Sequence, residues 1–326
     1  GMWVKKKFPR VLAVLLCVAM LATSVSLDTL AYDENFTSST HTTFSRTTST
    51  IAPGVTQDIC YAYAKDGKQM AYYVATADIT RDDVNVYANY KDNQCAEFGM
   101  QKLTDQMAAA QERNTTDTTA PNYNPYYTAV AGVNADFYNM TTGQPMGAFV
   151  MEGVVASNKA NNRPFFAIRE DGSAVVGANN NDWDALNAES PIMEAVGGDV
   201  VIVKNGVDVT ANATGSYSTE RHCRTCVGVT ADGKVILMSL DGRQEPFSCG
   251  GTMHEVAQIM LEAGCVAAIN LDGGGSTTFA ARQEGENEVT VVNRPSDGAP
   301  RAISSSLMIV STAAPSDVFE RAVLTA

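Results

Sequence analysis

The stretch VGVTADGKVILMSL, residues 227–240, contains two apolar segments that flank the pair Asp232-Gly233. An Asp-Gly pair between two strand-forming segments is typical of a β-hairpin, because both residues tolerate the positive φ angles of a tight turn. The same arrangement recurs around Asp171-Gly172 and around Asn205-Gly206. Three such hairpins predict a fold that is rich in antiparallel sheet.

Two helices and a buried strand accompany the hairpins. Residues 99–113 repeat apolar side chains at helical spacing. Residues 253–263 do the same, and Thr252 with Glu255 forms a capping box at their start. Residues 265–271 then form an apolar strand that ends at a glycine triplet. The sequence therefore predicts an α+β fold, a mixed and largely antiparallel β-sheet with a few packed helices, in a single catalytic domain.

Composition and charge exclude several classes of protein. The 326 residues are 45% hydrophobic and 18% charged, which is a globular composition. The chain has 23 Lys+Arg against 36 Asp+Glu, so its formal net charge is −13. An acidic chain repels phosphate backbones and anionic membrane surfaces, so we expect neither as a partner.

The N-terminal residues have the layout of an export signal. Basic residues up to Arg10 precede an apolar run over residues 11–22, and small residues around Ala31 form a cleavage site. The apolar run is too short to span a bilayer comfortably. We therefore expect residues 1–31 to be a signal peptide rather than a membrane anchor, with no stable membrane insertion after cleavage.

The rest of the chain divides by composition. Residues 37–50 contain 11 Ser or Thr, so we expect residues 32–56 to be a Ser/Thr-rich linker. Residues 57–312 are expected to form the catalytic domain. Residues 313–326 are expected to be a tail or the start of a further linker.

Six cysteines remain after removal of the signal, an even number that permits disulfides in an exported protein. They are Cys60, Cys95, Cys223, Cys226, Cys249 and Cys265. Cys223 and Cys226 form a CxxC pair that precedes a predicted strand. We therefore expect a structural disulfide or free thiols rather than a thioredoxin-like redox site. No second ligand pair lies at the spacing of a zinc site.

The stretch NLDGGGSTT, residues 270–278, carries the strongest chemical signal. Three glycines at a strand end let the backbone approach a ligand, and their N–H groups with the hydroxyls of Ser276 and Thr277 can hold an anion. Asp272 lies at the entrance of this loop. The plain alternative is a wide turn between strands, and the loop lacks the pattern of a nucleotide-binding P-loop.

Other polar residues lie next to predicted strands, where they often line a site. Arg224 can bind phosphate or carboxylate with two parallel hydrogen bonds, or take part in an ordinary surface ion pair. Asp136 follows an apolar strand, and an Asx-turn is its plain alternative. His222 can serve as a general base or be a surface histidine, and Asp241 can belong to a site or to a simple turn.

In this order, these pieces resemble the phosphodiester glycosidase family. The similarity covers about residues 125–312. The matching stretches are Asn134-Ala135-Asp136-Phe137, Gly143-Gln144-Pro145-Met146-Gly147, Arg224-Thr225 with Gly228, Asp241-Gly242-Arg243, Asn270 through Ser276, and Arg301-Ala302. The resemblance implies hydrolysis of a sugar-1-phosphodiester to a free sugar and a phosphomonoester. N-acetylglucosamine is the sugar that the best-known family member removes.

The resemblance also implies roles for individual residues. A phosphate leaves as an anion, so it needs stabilisation of its negative charge more than protonation. The anomeric carbon of the sugar, which develops positive charge, must react with water or a carboxylate. The expected catalytic residues are Asp272, Asp136 and Arg224, with the roles of base and nucleophile left open. The expected phosphate ligands are Thr225, Gly273, Gly274, Gly275, Ser276, Thr277 and Arg301. The expected sugar ligands are Asn134 and Asn270.

Two other functions remain open at this point. One is a glycan-binding module without catalysis, and the other is a metal-dependent phosphodiesterase that cleaves a phosphorus–oxygen bond. We expect no cofactor, although Asp136, Asp241 and Asp272 leave a bound divalent cation open. We expect a secreted or cell-surface bacterial protein that acts on a phosphorylated glycan, such as a cell-wall, teichoic or capsular glycan.

Overall fold

A computed structural model of the chain describes residues 35–157, 160–283 and 285–315. All strand pairings among these residues are antiparallel, and the strands form three sheets. The predicted largely antiparallel sheet with a few helices is confirmed. The predicted signal peptide, residues 1–31, and most of the predicted tail lie outside the described residues.

The largest sheet has eight strands. In spatial order they are β1 (His41–Ala52), β2 (Val55–Ala64), β3 (Gln69–Ala77), β14 (Val235–Leu240), β13 (Arg224–Thr230), β15 (Cys265–Asn270), β11 (Val201–Lys204) and β12 (Val207–Asp208). A five-stranded sheet consists of β17 (Val289–Val291), β16 (Phe279–Arg282), β5 (Thr128–Asn134), β18 (Ser306–Ser311) and β4 (Val84–Asn89). The other five-stranded sheet consists of β7 (Val154–Val155), β6 (Phe149–Met151), β10 (Ile192–Gly197), β8 (Phe165–Arg169) and β9 (Ala174–Gly177).

The three predicted hairpins are confirmed. β13 pairs with β14, β8 with β9, and β11 with β12. At the turn between β11 and β12, Asn205 has φ 52° and Gly206 has φ 73°. Two successive positive φ angles are what the right-handed twist of the flanking strands requires of a two-residue turn.

Within the described ranges, the α-helices pack outside the sheets: α1 (Leu103–Thr116), α2 (Asn180–Glu189), α3 (Ser216–Thr219) and α4 (Met253–Glu262). The predicted capping box of α4 is present, with Thr252 and Glu255 each accepting from the other's backbone N–H. None of the helices in the described ranges is long and apolar enough to cross a membrane.

The hydrophobic core lies between the sheets. Apolar side chains from the inner faces of all three sheets form one cluster, in which Val227 and Leu237 of the large sheet share a core with Leu307 of β18. A second cluster packs α4 against the outer face of the large sheet, and a third packs α1 against the five-stranded sheet that contains β5. The ends of β5, β13, β14 and β15 are thereby fixed close to one another.

Most of the predicted linker, residues 32–56, is β-strand where the structure describes it, from residue 35 onward. β1 pairs with β2 from His41, opposite Ala64, to Ala52, opposite Val55. Threonine is β-branched and favours strands, and an edge strand that exposes alternate side chains to water needs no apolar run. The predicted domain start at residue 57 falls inside β2.

Of the two alternatives expected for the CxxC pair, a structural disulfide or free thiols, the described structure has free thiols, and three further cysteines are also free. These five cysteines are Cys95, Cys223, Cys226, Cys249 and Cys265. Burial raises the pKa of the Cys226 thiol to about 12, so this thiol is protonated and unreactive at neutral pH.

Candidate active site

The candidate site lies where the ends of β5, β13, β14 and β15 meet. The Leu271 N–H donates to the Thr225 carbonyl at 2.7 Å, which continues the pairing of β13 and β15 beyond the last sheet residue. The Asp272 N–H donates to the Ala135 carbonyl at 2.8 Å. This second bond crosses from the large sheet to β5 and brings Asp272 next to Asp136, as the sequence analysis predicted for one site.

Asn134 joins these strand ends. Its Oδ1 accepts from the Thr225 hydroxyl at 2.7 Å and from the Thr278 N–H at 3.1 Å, and its Nδ2 donates to the Asp272 carbonyl at 2.7 Å. Asn134 and Thr225 are both buried. Asn134 and Thr225 thus position the strand ends at the site, and the ligand contacts expected of them stay predictions.

Asn270 is bound by the protein in a similar way. Its Nδ2 donates to the Tyr217 hydroxyl at 2.9 Å, and its Oδ1 accepts from the Val200 N–H. The side chain is fully buried and has a structural role, and the sugar contact expected of Asn270 stays a prediction. Tyr217 is 38% exposed and meets the Phe137 ring edge to face at a centroid distance of 6.1 Å.

Arg224 is buried and mostly occupied. Its Nε donates to the Gly251 carbonyl at 2.8 Å, and its Nη2 donates to the carbonyls of Tyr217 and Glu220 at 2.6 and 3.0 Å. The guanidinium also lies over the Tyr217 ring, 4.9 Å from the centroid. Arg224 thus holds the segment that carries Tyr217. Its Nη1 has no partner among the described residues and is the nitrogen left for the predicted phosphate contact.

Asp136 is enclosed by backbone. Its Oδ2 accepts from the Gly147 N–H at 2.7 Å, and a Cβ on Gly197 would lie 2.6 Å from the same oxygen. Its Oδ1 is buried without a partner. Burial raises the pKa of Asp136 to about 7, against the lowering effects of the Gly147 N–H and Arg163, while the nearby Asp272 raises it further.

Asp272 is less buried than Asp136 and carries more support for its charge. The Gly273 N–H donates to its Oδ1 at 2.9 Å. Burial raises the pKa of Asp272 to about 6, while Ser276, the Gly273 N–H and Arg301 act in the opposite direction. At neutral pH, Asp272 is therefore the more ionised carboxyl of the pair.

The glycine loop supports two guanidinium groups. Gly274 has φ +59°, and a Cβ there would lie 3.3 Å from Nη1 of Arg243. A Cβ on Gly275 would lie 2.2 Å from Nη2 of Arg301 and 2.3 Å from Oδ2 of Asp297. Side chains at these two positions would displace the arginines, so glycine permits both cations to lie directly against the backbone.

Several buried polar atoms around this loop have no partner in the described structure. They include Oδ1 of Asp136, Nη1 of Arg224, and the side-chain hydroxyls of Ser276 and Thr277. Buried polar groups almost always find a hydrogen-bond partner, because leaving one unpaired costs about 1–3 kcal/mol. Buried acceptors and donors left unpaired on residues next to the glycine loop are what a bound polar ligand would satisfy.

The three aspartates considered for a cation do not gather. Asp241 accepts from the Tyr73 hydroxyl and the Arg294 N–H through Oδ2, and from Asn293 through Oδ1. Within the described ranges, no three His, Cys, Asp or Glu side chains come together in a group that could hold a metal ion. Asp241 therefore holds the residue 293–294 segment against the site.

The comparisons with known proteins agree with this geometry. The family model for phosphodiester glycosidase matches residues 127–310, which is more than half of the chain. The chain belongs to the phosphodiester glycosidase family. The resemblance predicted from the motifs is thus confirmed, and the matched range agrees closely with the predicted one.

The curated relatives are enzymes named N-acetylglucosamine-1-phosphodiester alpha-N-acetylglucosaminidase. The mouse and human proteins are each 32% identical over 179 residues, which is 50% of this chain and 33% of the relative. A prophage-derived protein of Bacillus subtilis is 35% identical over 89 residues, which is 27% of this chain and 13% of the relative. The chain thus spans about a third of the length of the mammalian relatives.

Solved structures show the same fold. The zebrafish N-acetylglucosamine-1-phosphodiester alpha-N-acetylglucosaminidase catalytic domain, auto-inhibited by its pro-peptide, matches with a TM-score of 0.61 and 23% identity over 83% of this chain and 88% of that one. A hypothetical protein from Synechocystis matches with a TM-score of 0.63 and 15% identity over 82% of this chain and 64% of that one. At these identities the likeness concerns the fold.

Sequence reasoning gave no role to three residues that the structure places here. Arg243 lies in a matched motif at the end of β14, so its position was available as a signal. Arg163 lies 5.7 Å over the Phe137 ring and 3.6 Å from Oδ1 of Asp199, and no motif surrounds it in the sequence. Tyr217 lies in a short polar helix that resembles a loop.

Proposed function

We propose that this chain hydrolyses a sugar-1-phosphodiester at the bond between the anomeric carbon and oxygen, releasing a free sugar and a phosphomonoester. The observation that carries this proposal is the combination of two adjacent carboxyls with raised pKa values and a glycine loop that lies under two arginines. The printed names of the mammalian relatives make N-acetylglucosamine the first candidate for the sugar.

The cationic side of the site suits the leaving group. Arg301 and Arg243 lie against Gly275 and Gly274, and the unpaired hydroxyl of Thr277 belongs to the same loop. Prearranged donors of this kind stabilise the charge that develops on a departing phosphate. A phosphate monoester leaves readily as an anion, so the reaction needs little protonation of the leaving oxygen.

The acidic side suits the sugar. Asp272 faces the developing positive charge at the anomeric carbon as the ionised group, either as nucleophile or as the base that activates water. Asp136 is more deeply buried and keeps its proton to a higher pH. It serves as the neutral carboxylic acid that donates to a sugar hydroxyl or to Asp272. Two carboxyls whose surroundings separate their pKa values can fill two different roles.

The biological setting is part of the proposal. An export signal at residues 1–31 and an acidic globular composition support a secreted or cell-surface bacterial enzyme with a single catalytic domain. The substrate is a phosphorylated cell-wall, teichoic or capsular glycan, in which sugar-1-phosphate links are accessible from outside the cell.

The proposal is tested by incubating the purified chain with a panel of sugar-1-phosphodiesters, with and without EDTA. The products expected are free sugar and phosphomonoester, in equal amounts and with EDTA present. Asp272→Asn and Arg301→Met should lose turnover, whereas Glu262→Gln, which alters a carboxylate remote from the loop, should keep it. Binding of the panel without turnover would instead support a glycan-binding module. Turnover that EDTA abolishes would support a metal-dependent phosphodiesterase.

A further inference from the structure

Four aromatic side chains form a continuous strip on one face of the large sheet. Phe44 of β1 stacks on Tyr63 of β2 at a centroid distance of 4.4 Å and on Tyr61 at 6.4 Å, and Tyr61 meets Phe247 edge to face at 6.4 Å. Phe44 and Tyr63 are each 48% exposed. We call Phe44, Tyr61, Tyr63 and Phe247 the aromatic strip.

The strip is continuous with the candidate active site. Phe247 belongs to the loop that also carries Arg243, and the guanidinium of Arg294 lies over its ring at 5.0 Å. The Arg294 N–H donates to Asp241, and its carbonyl accepts from Gln244. The same short segments therefore hold both the phosphate side of the site and the near end of the strip.

The register of the sheet places the aromatic strip and the candidate active site near the same ends of the strands. Tyr61 of β2 lies opposite Ala71 of β3, and Leu240 at the end of β14 lies opposite Tyr72 of β3 and Arg224 of β13. The side chain of Asn293 donates to the Thr277 carbonyl next to the glycine loop, and the following residue, Arg294, lies over the Phe247 ring, so adjacent residues link the loop to the strip.

The chemistry of the strip matches a glycan. Flat, partly exposed rings offer apolar faces to the C–H faces of sugar rings, and the tyrosine hydroxyls offer hydrogen bonds at the ring edges. The exposed cation of Arg294 at the near end suits a chain that carries phosphate. Contiguous apolar side chains at the surface, rimmed by polar residues, commonly mark a binding site.

The family match does not account for the strip, because Phe44, Tyr61 and Tyr63 lie before its first residue. We propose that the aromatic strip binds the polysaccharide chain that carries the scissile phosphodiester, so that the protein acts on a polymer rather than on isolated sugar phosphodiesters. This inference rests on the proposed function, since it gives that site an extended substrate.

The test compares two probes on the full chain. One is methyl N-acetylglucosamine-1-phosphate diester, and the other is a soluble polysaccharide of N-acetylglucosamine-1-phosphate repeats. The double variant Phe44→Ala/Tyr63→Ala should raise KM for the polymer roughly tenfold, the effect of two lost ring contacts. Its kcat/KM for the monomeric diester should stay within about twofold of the wild type.

Two further variants serve as controls. Tyr126→Ala removes an aromatic side chain of similar exposure, 47%, far from the strip, and should leave the polymer KM unchanged. Phe44→Tyr/Tyr63→Phe keeps the rings and should restore polymer binding. An unchanged polymer KM in the alanine variant, or an equal loss on both probes, would overturn the proposal.

Electrophoresis in a gel that contains the polymer measures binding without hydrolysis. It therefore distinguishes a wrong assignment of the aromatic strip from a wrong assignment of the reaction. If the wild type cleaves neither probe, the proposed function is wrong. The strip is still supported in that case if the polymer slows the migration of the wild type and of Tyr126→Ala but not of the alanine double variant. A wild type that the polymer does not retard refutes the strip. Sedimentation that shows a wild-type dimer and a monomeric alanine variant would assign the strip to a second copy of the chain.

Discussion

Two clusters of carboxyl side chains in this protein have opposite surroundings. Glu262, at the end of α4, accepts from the Tyr72 hydroxyl at 2.6 Å and the Thr43 hydroxyl at 3.0 Å, and it pairs with Nε2 of His41 at 3.1 Å. These partners hold the pKa of Glu262 below its usual value despite the cost of burial. At the candidate site, burial prevails, and the pKa values of Asp136 and Asp272 rise to about 7 and about 6.

The difference shows what each region is built for. The Glu262 cluster satisfies its charge within the protein and ties β1 to α4, so it contributes stability. The Asp136 and Asp272 pair leaves Oδ1 of Asp136 buried without a partner among the described residues. Such an arrangement costs stability and is kept where a ligand supplies the missing partners.

The largest expected effect is on kcat, which should distinguish the candidate site from the Glu262 cluster. Asp272→Asn removes the ionised carboxylate that meets the sugar, so we expect kcat to fall about a thousandfold or more. Glu262→Gln should leave kcat within about twofold. Initial rates on a sugar-1-phosphodiester measure both variants. Equal losses in the two variants would show that the carboxylates do not differ in function.

The next effect concerns the glycine loop. Gly275→Ala places a methyl group where Nη2 of Arg301 lies, so the guanidinium must move, and we expect kcat/KM to fall up to about a hundredfold. Asp297→Ala serves as the control, because it removes the 3.0 Å partner of Arg301 without displacing the guanidinium. Steady-state kinetics should show a clearly smaller loss for the control, and a larger loss there would refute the steric explanation.

The pH dependence of the rate should reflect the two aspartates. The rate should rise as Asp272 loses its proton near pH 6 and fall as Asp136 loses its proton near pH 7, by about tenfold per unit on each limb. A profile of kcat/KM from pH 4 to 9 measures both limbs. Asp136→Asn should remove the descending limb, while Glu262→Gln should leave the profile as in the wild type. A flat profile in the wild type would contradict the assigned roles.

The smallest expected effect is on stability, which the substitutions Asp136→Asn and Glu262→Gln should change in opposite directions. Asp136 has a raised pKa in the folded protein, so its contribution to stability falls as pH rises from about 4 through 7. At pH 8, Asp136→Asn should therefore raise the free energy of unfolding by about 1–3 kcal/mol. Glu262 has a lowered pKa and stabilises the fold above its ordinary value, so Glu262→Gln should lower the free energy of unfolding at pH 8 by a similar amount. Urea unfolding of both variants at pH 8 tests the opposite signs.

Much of the fold could be predicted from local signals. The hairpin turns were readable because Asp-Gly and Asn-Gly pairs adopt conformations that few other residues tolerate. α4 was readable because its capping box and apolar stripe agree with each other. β1 was missed because its Ser and Thr residues resemble a linker, and its strand form depends on pairing with β2, which no local pattern reveals.

The site was predicted in position but less well in detail. Asp136 and Asp272 were identified and do lie side by side. Asn134, Asn270 and Thr225 are expected to touch substrate, and the structure adds that their side chains bond to neighbouring strands and loops. A polar residue at a strand end can face either a ligand or another strand, and the sequence does not distinguish these partners. Arg163 approaches Asp136 only through the tertiary fold.

Hydrolysis in oxygen-18 water tests the central claim most directly, namely that Asp136 and Asp272 serve chemistry at the anomeric carbon. The wild-type chain is incubated with a sugar-1-phosphodiester, and both products are analysed by mass spectrometry. Our account predicts the heavy oxygen in the free sugar and none in the phosphomonoester. Heavy oxygen in the phosphomonoester would show cleavage at phosphorus and contradict the account.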